Sequence, residues 1–287
     1  MSKLVKLKEL TIYDCNKLEE LPNLAHQSFL KKITITECRT LKSIALPTKL
    51  VMLSISECHD LKELSLGRLS CLETVTINRC EKLQDIAGIE ELQRLKHMQL
   101  SIGTNVAVRN CIHRLQRLPS EFMTASRKAG HGADSNLEGH FFSDLKGTGA
   151  VSKIPMEKDG SGFVKASLDS LEIMPESGSL SAIILCVVVL VEVCCEDSVY
   201  IGLCRHGAME SWIFEEVQID RGEWIITMVI TDQELIAGYI KDRKLGTVEI
   251  TLDEPRGIKK GWILPVNKGE EWRILRVLNT IVELDNK

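Results

Sequence analysis

The 287-residue chain carries 36 basic and 40 acidic residues, a formal charge of -4, so no strong field marks nucleic acid or an anionic membrane as its partner. A hydrophobic content of 44% is ample for packed cores, and the length allows one large domain or two ordinary ones. Met1 to Leu7 lacks the continuous apolar core of a signal peptide, and the longest apolar run, Ala182 to Val191, stops at Glu192, short of the roughly 20 residues a bilayer requires.

The first third is a repeat in the frame Leu-x-x-Leu-x-Ile-x-x-Cys-x-x-Leu-x-x-Leu. It reads Leu7, Leu10, Ile12, Cys15, Leu18, Leu21; then Leu30, Ile33, Ile35, Cys38, Leu41, Ile44; then Leu50, Leu53, Ile55, Cys58, Leu61, Leu64; then Leu72, Val75, Ile77, Cys80, Leu83, Ile86. Copy starts are 23, 20 and 22 residues apart, and a period of that size with six fixed apolar offsets signals a leucine-rich-repeat solenoid. A fifth copy opens at Leu95, Met98 and Leu100, loses register through 101–105, and closes with Cys111, Leu115, Leu118 and Pro119. Within each copy the x-Leu-x-Ile-x segment alternates apolar and polar residues, which predicts a short strand with one buried face and, by stacking, a parallel sheet. The Cys-x-x-Leu-x-x-Leu portion carries a second apolar row at intervals of three, which predicts a partly helical or irregular return path. Four of the ten cysteines recur at one offset, and the absence of a secretory signal favours reduced, buried thiols over a disulfide framework.

From Ser120 to about Lys146 Gly, Ser, Ala, His and charged residues predominate without apolar period, which predicts a linker. Downstream, Phe163–Leu168, Ala182–Val193, Val199–Leu203, Trp212–Ile219, Trp224–Ile230, Gly238–Ile240, Thr247–Leu252 and Gly261–Val266 are short β-branched runs between turn residues, the pattern of an antiparallel sandwich. Ile274, Leu275, Leu278, Ile281 and Val282 stand at helical spacing and predict a short closing helix. The expected architecture is an α/β leucine-rich-repeat solenoid over 1–119 lacking an N-terminal cap, a linker over 120–145, and a mainly antiparallel β-sandwich over 146–287.

Side chains alternating away from the core of these strands fall in columns: Glu9, Thr11, Tyr13; Lys32, Thr34, Thr36; Met52, Ser54, Ser56; and Thr74, Thr76, Asn78. These, with neighbouring Arg79, are the candidate partner-binding residues. Tyr13 and Arg79 stand out because Tyr and Arg are common interface anchors, against the plainer reading of Ser and Thr as ordinary solvated strand residues. No metal site or cofactor is predicted: Cys186, Cys194, Cys195, Cys204 and His206 lack paired Cys-x-x-Cys or His-x-His elements. Gly147 to Lys153 fails the phosphate-loop pattern, since Ser152 stands where Gly must precede Lys. No catalytic set is selected either.

The repeat consensus at Leu7–Pro22 and the stretch Cys80–Leu92 resemble the C-terminal part of plant intracellular immune receptors of the nucleotide-binding leucine-rich-repeat type, particularly those with a Toll/interleukin-receptor domain. Ser152-Lys153-Ile154-Pro155 with Gly160–Val164, Ala182–Val188 and Gly257–Leu264 look similar to the β-sandwich that follows the repeats in such receptors, although Met156 and Glu157 stand where an aromatic residue normally follows Ile-Pro. The resemblance implies the non-catalytic, ligand-sensing half of a receptor without its Toll-type and nucleotide-binding domains. Its implied partners are proteins: a pathogen effector, a guarded host protein, or the full-length receptor. Defence signalling in the cytoplasm is implied, with the nucleus left open. The alternative is the substrate receptor of a ubiquitin ligase, whose repeats can carry cysteine at this offset. Leu4, Val5 and Leu7 have no polar cap before them, which predicts an exposed apolar edge and self-association through the uncapped first repeat.

Overall fold

The computed structural model describes residues 6–101, 111, 114–115, 118–128, 152–153, 157–158, 163–167, 180–191, 197–204, 211–219, 221–233, 236, 247–252, 258–270, 274 and 278. The chain divides into two compact units, Met1–Ala125 and Ser126–Lys287.

In the first unit the strands stand where the apolar alternation places them: β1 (Glu9–Tyr13), β2 (Lys32–Thr36), β3 (Met52–Ser56), then β4 (Glu63–Ser65), β5 (Thr74–Asn78), β6 (Asp85–Ala87) and β7 (His97–Ser101). Five of them pair in parallel in the order β1-β2-β3-β5-β7 without a register shift, so Leu10, Ile33, Leu53, Val75 and Met98 form one inner row and Ile12, Ile35, Ile55, Ile77 and Leu100 a second. From the second coil onward these rows are buried, together with Leu30, Leu50, Leu72, Leu41, Leu61 and Leu83. Each coil's apolar side chains are thus covered by the next coil, as a stacked repeat requires.

The α/β expectation is overturned. The return path is extended rather than helical: β4 and β6 pair in parallel on a second side, and Glu20 bridges Ser43 likewise. The Cys-x-x-Leu segment is a tight turn in which the amides of Leu18, Leu41, Leu61 and Leu83 donate to the carbonyls of Cys15, Cys38, Cys58 and Cys80. An apolar residue every third position fits a turn followed by a strand as well as it fits a helix. Pro22 and Pro47 further restrict helix growth, since proline lacks the amide a helix interior needs. The repeats therefore form a parallel β-solenoid, and the chain is almost all β. Beside its strands the described residues contain one 3-10 turn, Ile89–Glu91, and isolated helical positions such as Cys111 and Arg114.

β8 (Phe122–Lys128) occupies part of the stretch read as linker and runs across the border between the units. Beyond it are β9 (Ser152–Lys153), β10 (Glu157–Lys158), β11 (Phe163–Ser167), β12 (Leu180–Val191), β13 (Asp197–Cys204), β14 (Ser211–Ile219), β15 (Gly222–Ile230), β16 (Thr247–Leu252) and β17 (Ile258–Asn267). β12 lies between β15 and β17, antiparallel to both, and its residues Ala182–Val189 are buried on both faces, which explains the continuous apolar run. Trp224 and Trp262 are buried in the flanking strands. A further ladder, also antiparallel, runs β10-β11-β16-β13-β14. These two ladders are what the second unit shows; the solenoid-plus-sandwich class is replaced by an almost all-β chain built on a parallel β-solenoid. Gly238–Ile240 lies outside the described residues. Of the expected closing helix only Ile274 and Leu278 are described, both helical and buried.

Candidate functional site

The cysteine of each repeat closes the corner after its strand. Asp14, Glu37, Glu57 and Arg79, each preceding a cysteine, take left-handed backbone conformations with φ between 50 and 56 degrees. This turns the chain and aims their amides at the next coil: Asp14 donates to the Thr36 carbonyl, Glu37 to Ser56, Glu57 to Asn78 and Arg79 to Ser101. The same carbonyls take a second donor from sulfur. The Cys38 thiol donates to Thr36 at 3.6 Å, Cys58 to Ser56 at 3.5 Å and Cys80 to Asn78 at 3.4 Å. A small apolar side chain with a weak donor suits this corner, because it fills the core and satisfies the remaining lone pair of a carbonyl.

Burial pushes the thiols up: Cys38 is raised, and Cys58, Cys80 and Cys111 reach about 12, desolvation being the main cause in each. None of these sulfurs is disulfide-bonded, and Cys15 departs from the sequence reading because it is exposed. Native-state alkylation followed by mass spectrometry is expected to modify Cys15 first and half-buried Cys71 more slowly. Cys38, Cys58, Cys80, Cys111 and Cys186 should react only after denaturation; early loss of Cys58 or Cys80 would contradict the corner geometry.

The outward sheet face carries three columns in register. They are Glu9, Lys32, Met52, Thr74, His97; Thr11, Thr34, Ser54, Thr76, Gln99; and Tyr13, Thr36, Ser56, Asn78, Ser101. Accessibility falls along the stack. Glu9, Thr11, Tyr13 and Lys32 are exposed; Thr34, Thr36, Met52, Ser54, Thr74 and Thr76 are half-buried. Ser56 and Asn78 retain 8% and 6% exposure and Ser101 1%, so these members of the third column are not presented to a partner. The accessible face is therefore the β1–β3 side.

The two anchors singled out by residue type fare differently. Tyr13 is 63% exposed at the edge of the sheet. Arg79 sits at a corner three strands away, about 14 Å by strand spacing, and its guanidinium contacts Glu57 at 3.1 Å with both side chains largely covered. Arg79 thus ties the third coil to the fourth, and it does not join Tyr13 in one patch. Other same-offset pairs do similar work: Glu19 with Lys42 at 2.7 Å and Asp60 with Lys82 at 2.6 Å, the latter hydrogen bond holding the Asp60 carboxyl below its ordinary range.

Two positions were missed by sequence reasoning. Phe29, 51% exposed, lies in the turn leading to the second coil; an aromatic just before the first leucine of a repeat was its signal. His97 continues the first column into the fifth coil, contacts Glu121 and meets the Phe122 ring edge-on at 4.4 Å. The frame Leu95, Met98, Leu100 already marked its strand.

Among the described residues no group of three or more His, Cys, Asp or Glu could hold a metal ion, and no helix is long and apolar enough to cross a membrane. Of the Cys186 to His206 group only Cys186 has a described side chain; it is buried and receives a hydrogen bond from Thr227 Oγ1 at 3.7 Å. Of Gly147–Lys153 only Ser152 and Lys153 lie within the described residues, as β9. Comparison with known protein families and with curated protein sequences finds no match to this chain.

Proposed function

We propose that the chain is a non-catalytic protein-recognition module whose binding face is the outward side of β1, β2 and β3. The observation that carries this reading is the open, in-register array of Glu9, Thr11, Lys32, Thr34, Met52 and Ser54, bordered by exposed Tyr13. A rigid sheet presents such side chains without ordering a loop, which lowers the entropic cost of binding. Hydroxyls and charges of both signs suit a polar protein surface. The resemblance of the repeat consensus to plant intracellular immune receptors supports a pathogen effector, a guarded host protein or another part of a receptor as the partner. It also supports a role in cytoplasmic defence signalling.

The test compares wild-type bait with two sets of variants in plant extract. Thr11→Arg, Thr34→Arg and Ser54→Arg together place bulk on the proposed face; Glu63→Arg and Ser65→Arg place it on exposed positions of β4. A specific partner should lose affinity by about tenfold or more with the first set and keep it with the second. Equal retention by both sets would refute the face.

A further inference from the structure

β1 stands at the end of the parallel sheet. Its ladder to β2 fixes which backbone groups point where. The Lys8 carbonyl accepts from Lys31 and Lys32, and the Asp14 amide donates to Thr36, so even-numbered residues direct their amides and carbonyls at β2. By the alternation of a strand, the odd-numbered residues Glu9, Thr11 and Tyr13 direct theirs toward the outer edge. The inner rows are open at the same end. Leu7, Leu10, Ile12 and Leu18 are half-buried and Cys15 is exposed, whereas their counterparts in the second coil, Leu30, Ile33, Ile35, Leu41 and Cys38, are fully buried. Tyr13 and Phe29, the exposed large hydrophobic residues of the described chain, belong to this coil and the turn that follows it.

We infer that this edge docks a second copy of the chain, β1 against β1 antiparallel, with the two-fold axis passing beside Thr11. The sequence around Thr11 is self-complementary in that register. Thr11 faces its own twin, Leu10 faces Ile12 and Glu9 faces Tyr13, while Lys8 and the corner residue Asp14, just beyond the strand ends, come near each other. The Thr11 pair then meets as a hydrogen-bonding pair at the centre, Glu9 meets Tyr13, whose carbonyl also accepts the Cys15 thiol at 3.5 Å, and the apolar residues of both copies fall on one face of the joined sheet. Lys8 near Asp14 gives two attractive charge pairs per dimer. Centring the pairing on Glu9 would instead set two carboxylates against each other, and centring it on Leu10 or Ile12 leaves fewer outward groups matched. A two-fold contact of this kind closes on itself, so it yields a dimer and not a fibre.

This inference uses the backbone edge of β1, whereas the recognition face uses the outward side chains of β1 to β3; Glu9, Thr11 and Tyr13 belong to both, so the dimer is read by sedimentation and recognition by partner capture. The experiment is sedimentation velocity on the full chain over a concentration series, with Thr11→Pro alongside. The Thr11 amide points away from β2, so proline at this edge position removes no bond within the chain. Wild type is expected to dimerise reversibly. Thr11→Pro should weaken the dimer by about tenfold or more with an unchanged circular dichroism spectrum. Lys8→Glu should weaken it too, and adding Asp14→Lys should restore it.

Register is read by oxidation in a Cys15→Ser background. Facing Thr11 positions lie about 5.5 Å apart between Cα atoms, within disulfide reach, so Thr11→Cys should cross-link. The two copies of Glu9, each opposite the other's Tyr13, lie about 14 Å apart, so Glu9→Cys should not. A wild type that stays monomeric at all concentrations, a dimer that Thr11→Pro leaves intact, or cross-linking at Glu9→Cys in place of Thr11→Cys would overturn the inference.

Discussion

Replacing Gly88 by alanine is expected to destabilise the first unit by about 3 kcal/mol. Two effects add. Gly88 has φ +77 degrees, a left-handed conformation that costs a residue with a Cβ about 1 to 2 kcal/mol. A Cβ at Gly88 would also stand 2.2 Å from the Cα and 2.3 Å from the nitrogen of Gly67 in the preceding coil, one position beyond the continuation of the β4–β6 register. Backbone cannot rotate aside, so the coils must separate where Leu66, Leu83, Ile86 and Ile89 are packed. Gly67→Ala is the internal control. Its Cβ would meet the Glu91 carboxylate at 3.0 Å, the far end of a flexible side chain, and the expected cost is about 1 kcal/mol or less. Urea denaturation followed by circular dichroism separates the two variants; equal losses would show that the close approach of the coils is not what fixes glycine at position 88.

The buried thiols make a second large effect, in alkali. In the unfolded chain a thiol releases its proton near 9, whereas Cys58, Cys80 and Cys111 hold theirs to about 12. Between those limits the native state binds more protons than the unfolded state, so stability falls as pH rises. The penalty is absent below pH 9 and accumulates toward pH 12, at about 1.4 kcal/mol per thiol for each pH unit. Three thiols together remove about 4 kcal/mol per unit, enough to exhaust a typical 5 to 15 kcal/mol within a few units. A Cys58→Ala, Cys80→Ala double variant should be less stable at pH 7, through lost packing and lost S–H donors, yet lose stability more slowly above pH 9. Denaturant midpoints at pH 7 to 11 measure both; identical alkaline slopes for wild type and variant would contradict desolvation of the thiols.

The strands and their register were legible because one rule decides both. Leu10 and Ile12 alternate with Glu9, Thr11 and Tyr13, and repetition of that pattern at Ile33, Leu53 and Val75 leaves a single pairing that buries every apolar row. The return path was not, because Cys15, Leu18 and Leu21 recur every third residue and that interval is shared by a helical turn and a β-turn leading into extended chain. Left-handed corners were equally hidden. Asp14, Glu37, Glu57 and Arg79 occupy positions where glycine or asparagine would have been the signal, and only the hydrogen bond from each amide to the next coil accounts for them. Of the candidate face, the three columns were readable but their unequal burial was not: buried Ser56 and Asn78 share an offset with exposed Tyr13, and the residue types at that offset do not set them apart. The pairing of Arg79 with Glu57 could have been found, since both precede the cysteine of adjacent repeats.

Recognition through the outward face of β1 to β3 is tested most directly by placing a photo-activated cross-linking residue at Thr34, at the centre of that face, and separately at Ser65 on β4. After irradiation in plant extract the proposal predicts one dominant covalent adduct from position 34, suppressed by Thr11→Arg, and none of the same mass from position 65. The same adduct from both positions, or from position 65 alone, would contradict it.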